Sequence, residues 1–230
     1  MKTRRPLCYT LNWSKATAAT MNLIFDFLTD PYKAYSTTDI ALEGIAVLTG
    51  LLSVWFAKQD KIWVYPTGMI STAIFVYILL KAGLIGDFLI NAYFFVMSIY
   101  GWFFWTRQEK GEVVHQIDKI STSEKKWSFY LFVLSLLFVG CVYGILRKWN
   151  SWTAPIDTFT TALFFVGMWL MARRKIEHWV CWIIGDLISI PLYLYKGLAL
   201  TSFQYLIFTL ISILGYLEWK KAYNNKHLTV

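Results

Sequence analysis

Trp179, Trp182, Asp186, Ser189 and Tyr193 recur at the three- and four-residue spacings that bring side chains onto one face of a helix. At about 100° per residue they share a stripe about 80° wide. A carboxylate in a long apolar helix faces protein or water, because lipid cannot solvate it. Aromatic faces beside such a carboxylate suit a flat, cationic ligand, held by stacking and cation–π attraction. The packing alternative is an aromatic belt with an aspartate capping a neighbouring helix. It applies most to Trp179, close to Lys175.

Two further stretches carry related polar faces. Asp87, Asn91, Phe94, Ser98 and Gly101 align along one, and Thr201, Gln204, Phe208, Ser212 and Gly215 along the other. The amides of Asn91 and Gln204 donate and accept, which suits sugar hydroxyls or a carboxamide. Ser98, Ser212 and the glycines read as close helix packing. Glu43, one turn after Asp39, is a weaker candidate for a proton site. His115, His178 and His227 fall in loops or tails.

Catalysis finds no footing. No Ser-His-Asp set, no paired carboxylates of defined geometry and no His-rich metal spacing can be assembled. Cys8, Cys141 and Cys181 lie far apart and read as small hydrophobes. No G-x-x-x-x-G-K-[ST] cradle supports ATP-driven pumping by this chain. Stretch 201–217 lacks the lysine that a retinal Schiff base needs. The expectation is a protein that is not an enzyme and holds no metal or cofactor.

The elements that position these residues follow from composition. Of 230 residues, 57% are hydrophobic, 19% aromatic and 16% charged, against about 25% charged in ordinary soluble domains. Mean hydropathy is +0.47. Seven apolar stretches, 39–57, 63–80, 87–105, 128–146, 157–172, 179–195 and 201–217, each approach the length of a bilayer-spanning helix. Only helices satisfy their own backbone in hydrocarbon when spanning singly, so the fold class is all-α integral membrane. The net charge of +8 does not signal nucleic acid, because the basic residues cluster at the ends of the stretches: Lys58 and Lys61, Arg107 and Lys110, Arg173 to Lys175, Lys220 and Lys221. The side holding the C-terminus collects the excess, which predicts N-terminus outside and C-terminus cytoplasmic. Residues 1–38 read as a tail without a cleaved signal, carrying a short interfacial helix over 16–28.

The sequence also repeats. Ser98-Ile99-Tyr100-Gly101-Trp102-Phe103-Phe104-Trp105 returns as Ser212-Ile213-Leu214-Gly215-Tyr216-Leu217-Glu218-Trp219, both in the pattern S-I-x-G-aromatic-x-x-W. Trp63 and Trp179 open the preceding stretches, and Asp39 and Asp157 the ones before those. The expected organisation is a three-helix repeat at 39–105, a cytoplasmic loop at 106–127, a linker helix at 128–146, a second three-helix repeat at 157–219 and a tail at 220–230. An odd central helix gives both triplets the same orientation, a 3+1+3 parallel repeat with its site between them.

These motifs carry a resemblance. Trp179-Val180-Cys181-Trp182 with Asp186, Tyr193 and Tyr195-Lys196-Gly197, the Gly215-Tyr216-x-x-Trp219 ending, Gly86-Asp87 with Asn91-Ala92-Tyr93, and the Gly101-to-Trp105 ending resemble the Pnu family of bacterial vitamin transporters over roughly 35–222. Within it they fit the transporters of nicotinamide riboside. The resemblance implies a SWEET-like 3+1+3 fold, a homotrimer in the bacterial inner membrane, and facilitated diffusion with trapping by a cytoplasmic riboside kinase. It places substrate on Trp179, Trp182, Asn91 and Gln204, then on Asp87, Asp186, Tyr93 and Phe208. Thiamine, riboflavin and a proton-coupled carrier stay open alongside it, as do a membrane-embedded enzyme and a receptor.

Overall fold

The computed structural model describes residues 36–81, 85–109, 112–113, 116–147, 149, 152–196 and 199–228. The tail to residue 35, with the interfacial helix expected over 16–28, lies outside them. Seven helices are present among the described residues: α1 Thr37–Lys58, α2 Val64–Lys81, α3 Ile85–Thr106, α4 Thr122–Ile145, α5 Thr153–Ala172, α6 His178–Tyr195 and α7 Ala199–Leu228. The first six are long and apolar enough to cross a membrane. Helix α7 carries the seventh apolar stretch and runs on through the charged segment expected as a tail.

Residues up to 40 form a unit whose described part is the start of α1. There Ser36 Oγ accepts from the Asp39 backbone N–H and donates to the Asp39 carboxylate. Between α3 and α4 a two-residue antiparallel hairpin pairs β1 (Gln108–Glu109) with β2 (Glu112–Val113). Helix α4 begins before its apolar stretch does, because Ser121 and Glu124 form a reciprocal capping box. Glu124 also pairs with Arg173 at 3.0 Å and Lys175 at 3.2 Å, so the start of α4 is tied to the α5–α6 turn. The same turn hydrogen-bonds Asp118 through the backbone at Arg174 and Ile176.

Helix α5 is the central element. Thr158, Thr160, Thr161, Ala162 and Gly167 are buried along it, the small and weakly polar residues that let membrane helices approach. The threonines Thr158 and Thr160 turn their hydroxyls back onto their own helix, which leaves no orphaned donor.

The α1–α2 and α5–α6 turns are built alike at a constant offset of 114 residues. In the first, Asp60 N–H donates to Ala57 O, Lys61 to Phe56, Val64 to Lys61 and Tyr65 to Ile62. In the second, Arg174 donates to Met171, Lys175 to Leu170, His178 to Lys175 and Trp179 to Ile176. Asp60 and Arg174 both adopt left-handed backbone, with φ of 53° and 56°.

This geometry accounts for the two S-I-x-G-aromatic-x-x-W endings. A Cβ on Gly101 would stand 2.2 Å from the Tyr65 ring, and one on Gly215 would stand 2.5 Å from the Trp179 indole. Each glycine thus receives the aromatic ring that opens the helix before it. The residue structurally matched to Trp179 is Tyr65, 0% exposed, and not Trp63, which is 59% exposed. Helical phase decides this: two residues' difference turns a side chain from the interior to the outside.

Candidate functional site

Tyr65, Trp105, Trp179 and Trp219 form one buried cluster with Ala57, Val64, Met168, Met171 and Ile176 at the end of the bundle carrying the two matched turns. Tyr65 and Trp105 meet edge to face at 5.1 Å, and Trp179 and Trp219 at 5.9 Å. His178, fully buried, lies 4.3 Å from Trp179 and 4.7 Å from Trp219 by ring centroids. Trp179 is therefore a packed residue of this cluster, 1% exposed.

Trp182 follows one turn later and is half-buried. Its indole stacks on Phe164 at 5.2 Å and 24°, and meets Phe94 edge to face at 5.9 Å. Phe164 stacks in turn near Tyr205 at 6.1 Å and 7°. Phe94 borders Phe165, on which Tyr93 stacks at 4.0 Å. Four helices, α3, α5, α6 and α7, thus contribute to one aromatic array around Trp182. Two glycines make room: a Cβ on Gly167 would lie 3.4 Å from Trp182, and one on Gly185 would lie 2.3 Å from Phe164.

Asp186 lies one turn beyond Trp182, 2% exposed, with Ser189 at 1%. Asp186 Oδ2 and Ser189 Oγ are buried without a hydrogen-bond partner. Unpaired oxygens of this kind are costly in a low-dielectric interior. They make this face of α6 suited to a donor-bearing or cationic ligand.

The remaining sequence candidates fall as follows. Tyr93 donates its hydroxyl to Phe165 O at 3.0 Å, joining α3 to α5. Asn91 on α3 and Gln204 on α7 are half-buried. Phe208 is half-buried and meets Tyr205 edge to face at 6.3 Å. The side chain of Asp87 lies outside the described residues. Sequence reasoning missed Phe164, Phe165 and Tyr205. The available signal was Gly167 and Gly185, since a glycine inside a span marks a place where a large group comes close.

At the opposite end of α6, Lys196 Nζ holds both carboxylate oxygens of Asp157, at 2.7 and 2.6 Å, which joins the start of α5 to the end of α6. In the matched turns, Arg174 Nε lies 3.2 Å from Asp60 Oδ1 and its guanidinium covers Trp105 at 4.2 Å. Burial outweighs that guanidinium and lifts the Asp60 carboxyl from 3.8 to about 6. No group of histidines, cysteines and carboxylates able to hold a metal occurs among the described residues.

The family model described as nicotinamide mononucleotide transporter matches residues 40–221, nearly the whole of this architecture. The chain belongs to that family. It is a family of membrane transporters and not of enzymes, and the chain is a multi-pass membrane protein. Among relatives, the chain is 25% identical over 205 residues to the nicotinamide riboside transporter PnuC of Escherichia coli (strain K12), covering 77% of this chain and 84% of that one. It is 24% identical over 179 residues to the riboflavin/roseoflavin transporter RibM of Streptomyces davaonensis, covering 75% and 81%. The crystal structure of the vitamin B3 transporter PnuC superposes with a TM-score of 0.61 at 22% identity, over 86% of this chain and 88% of that chain, and shares its fold.

Proposed function

We propose that this protein is a carrier for nicotinamide riboside. The observation that carries the reading is the aromatic array of Phe164, Trp182 and Phe94 one turn from the buried, unpartnered Asp186. The riboside presents a flat pyridinium, which stacks and is attracted to a carboxylate. Its carboxamide and ribose match the amides of Asn91 and Gln204, with Asp87, Tyr93 and Phe208 completing the site and Trp179 its floor. A riboside fits better than a mononucleotide, because among the described residues no Lys or Arg lies in the middle of a helix to meet a phosphate. Riboflavin, the cargo in the name of one relative, offers Asp186 hydrogen-bond donors but no cation, so it matches the aromatic array and carboxylate less fully.

The wider reading rests on the family and on the matched turns. The helices form a 3+1+3 parallel repeat, supported by the constant offset of 114 residues and the identical bonding of the α1–α2 and α5–α6 turns. The carrier works by facilitated diffusion in the bacterial inner membrane as a homotrimer, with a cytoplasmic kinase trapping the riboside. Isothermal titration of the detergent-purified protein with nicotinamide riboside, thiamine and riboflavin tests the substrate. Saturable binding of the riboside alone is the expected result. Binding of thiamine or riboflavin instead replaces the cargo, and silence for all three overturns the carrier assignment.

A further inference from the structure

The indoles of Trp105 and Trp219 are exchanged between the two halves of the molecule. Trp105, at the end of α3, donates Nε1–H to the carbonyl of Ala172, the last residue of α5, at 3.2 Å. Trp219, on α7, donates Nε1–H to the carbonyl of Ala57, in the last turn of α1, at 2.9 Å. Helix C-termini leave their last carbonyls without intrahelical partners. Each tryptophan therefore donates to the C-terminal end of a helix in the other half, Ala57 O accepting from Asp60 N–H as well, and the two bonds are counterparts whose carbonyls stand one residue out of register. The two rings lie 6.0 Å apart. Beside them Asp60 and Arg174, matched residues of matched turns, face each other at 3.2 Å.

The same cluster also holds groups that closure leaves unsatisfied. Tyr65 Oη, Trp179 Nε1 and His178 Nε2 are buried there without a hydrogen-bond partner. A permanent core pairs such groups, and each regains hydrogen bonds when water reaches it. Exchanged bonds favour closure and the unsatisfied groups oppose it, which is the balance a two-state element needs.

We propose that Trp105 and Trp219, through their exchanged indole hydrogen bonds, are the latch that holds this end of the transport path closed, and that the path opens here when both bonds break. The Asp60–Arg174 pair sets the register in which the two halves meet. Glycines Gly101 and Gly215, one turn before each tryptophan, admit the rings that fill the closed end. This inference rests on the chain being a carrier and not on which vitamin it carries.

Cys181 is a built-in reporter. It is half-buried on α6, two residues beyond Trp179, and a Cβ added to Gly167 would stand 3.2 Å from its own Cβ. With Cys8 and Cys141 replaced by serine, the labelling rate of Cys181 by a small charged thiol reagent reads water access past the closed end. Trp105→Phe with Trp219→Phe keeps aromatic rings and removes both donors. The expected result is a rise of about fivefold or more in labelling rate, with each single variant intermediate. An unchanged rate in a monodisperse double variant overturns the latch.

A second measurement covers a double variant that does not fold. Asp60→Cys with Arg174→Cys, in a chain lacking native cysteines, is bridged by a short, reducible bifunctional thiol reagent. Exchange of radiolabelled nicotinamide riboside across proteoliposomes should stop on bridging and return on reduction. Undiminished exchange in the bridged protein overturns the latch. Absence of exchange before bridging counts against the cargo assignment, leaving the labelling result to decide the latch.

Discussion

Asp60 and Arg174 occupy the same place in two turns 114 residues apart, share left-handed backbone, and point at one another across 3.2 Å. The pair thus marks where the α1–α2 and α5–α6 turns converge, and Trp105 and Trp219 meet beside it.

Trp182→Ala should weaken riboside binding by about 2 kcal/mol, roughly thirtyfold, since a desolvated cation–π contact is of that size. Trp182→Phe should lose less, because a π-face remains. Titration calorimetry on folded, monodisperse variants measures both. Wild-type affinity in Trp182→Ala removes the residue from the site.

Glycine substitutions should separate by what surrounds them. Gly215→Ala and Gly185→Ala each drive a methyl into a buried ring, at 2.5 Å from Trp179 and 2.3 Å from Phe164. Overpacking of this kind costs about 1–3 kcal/mol. Gly44 has nothing within 4 Å, so Gly44→Ala should be neutral or stabilise α1 by up to about 1 kcal/mol. Thermal unfolding in detergent ranks the three, and equal midpoints contradict the packing.

Asp60 should make stability depend on pH. Its carboxyl is lifted to about 6 in the folded protein, so the fold binds that proton more tightly than the unfolded chain does. The stabilising contribution is complete below the ordinary carboxylate range and is lost as pH rises through about 6. The unfolding midpoint should therefore fall between about pH 4 and about pH 6 and level off above that, and Asp60→Asn should flatten that slope. A slope as steep in the variant assigns the proton to another group.

Arg147, just past the end of α4, has φ of 52° while its N–H caps the helix through Gly144 O. Left-handed backbone at this position favours glycine. Arg147→Gly should stabilise the protein by about 1 kcal/mol without touching the site. Urea or thermal unfolding beside the wild type checks it, and a loss of stability shows that the arginine side chain contributes more than its backbone costs.

Much was legible from the one-dimensional pattern. Apolar length and the placement of Lys and Arg between stretches dictate helices in a membrane, because nothing else satisfies the backbone in hydrocarbon. Spacing along α6 placed Trp182, Asp186 and Ser189 on one face, since an isolated helix already determines that. The Gly and Trp of the two endings also stood out in order and spacing. What spacing cannot state is which ring fills a glycine's notch, because that partner comes from another helix. So Tyr65 rather than Trp63 matches Trp179, Phe164 from α5 stacks on Trp182, and Trp105 and Trp219 reach across to the ends of α5 and α1. Local periodicity is a property of one helix and is written in its residues; the aromatic array arises where four helices meet and the buried end cluster where six do, and packing in three dimensions decides both.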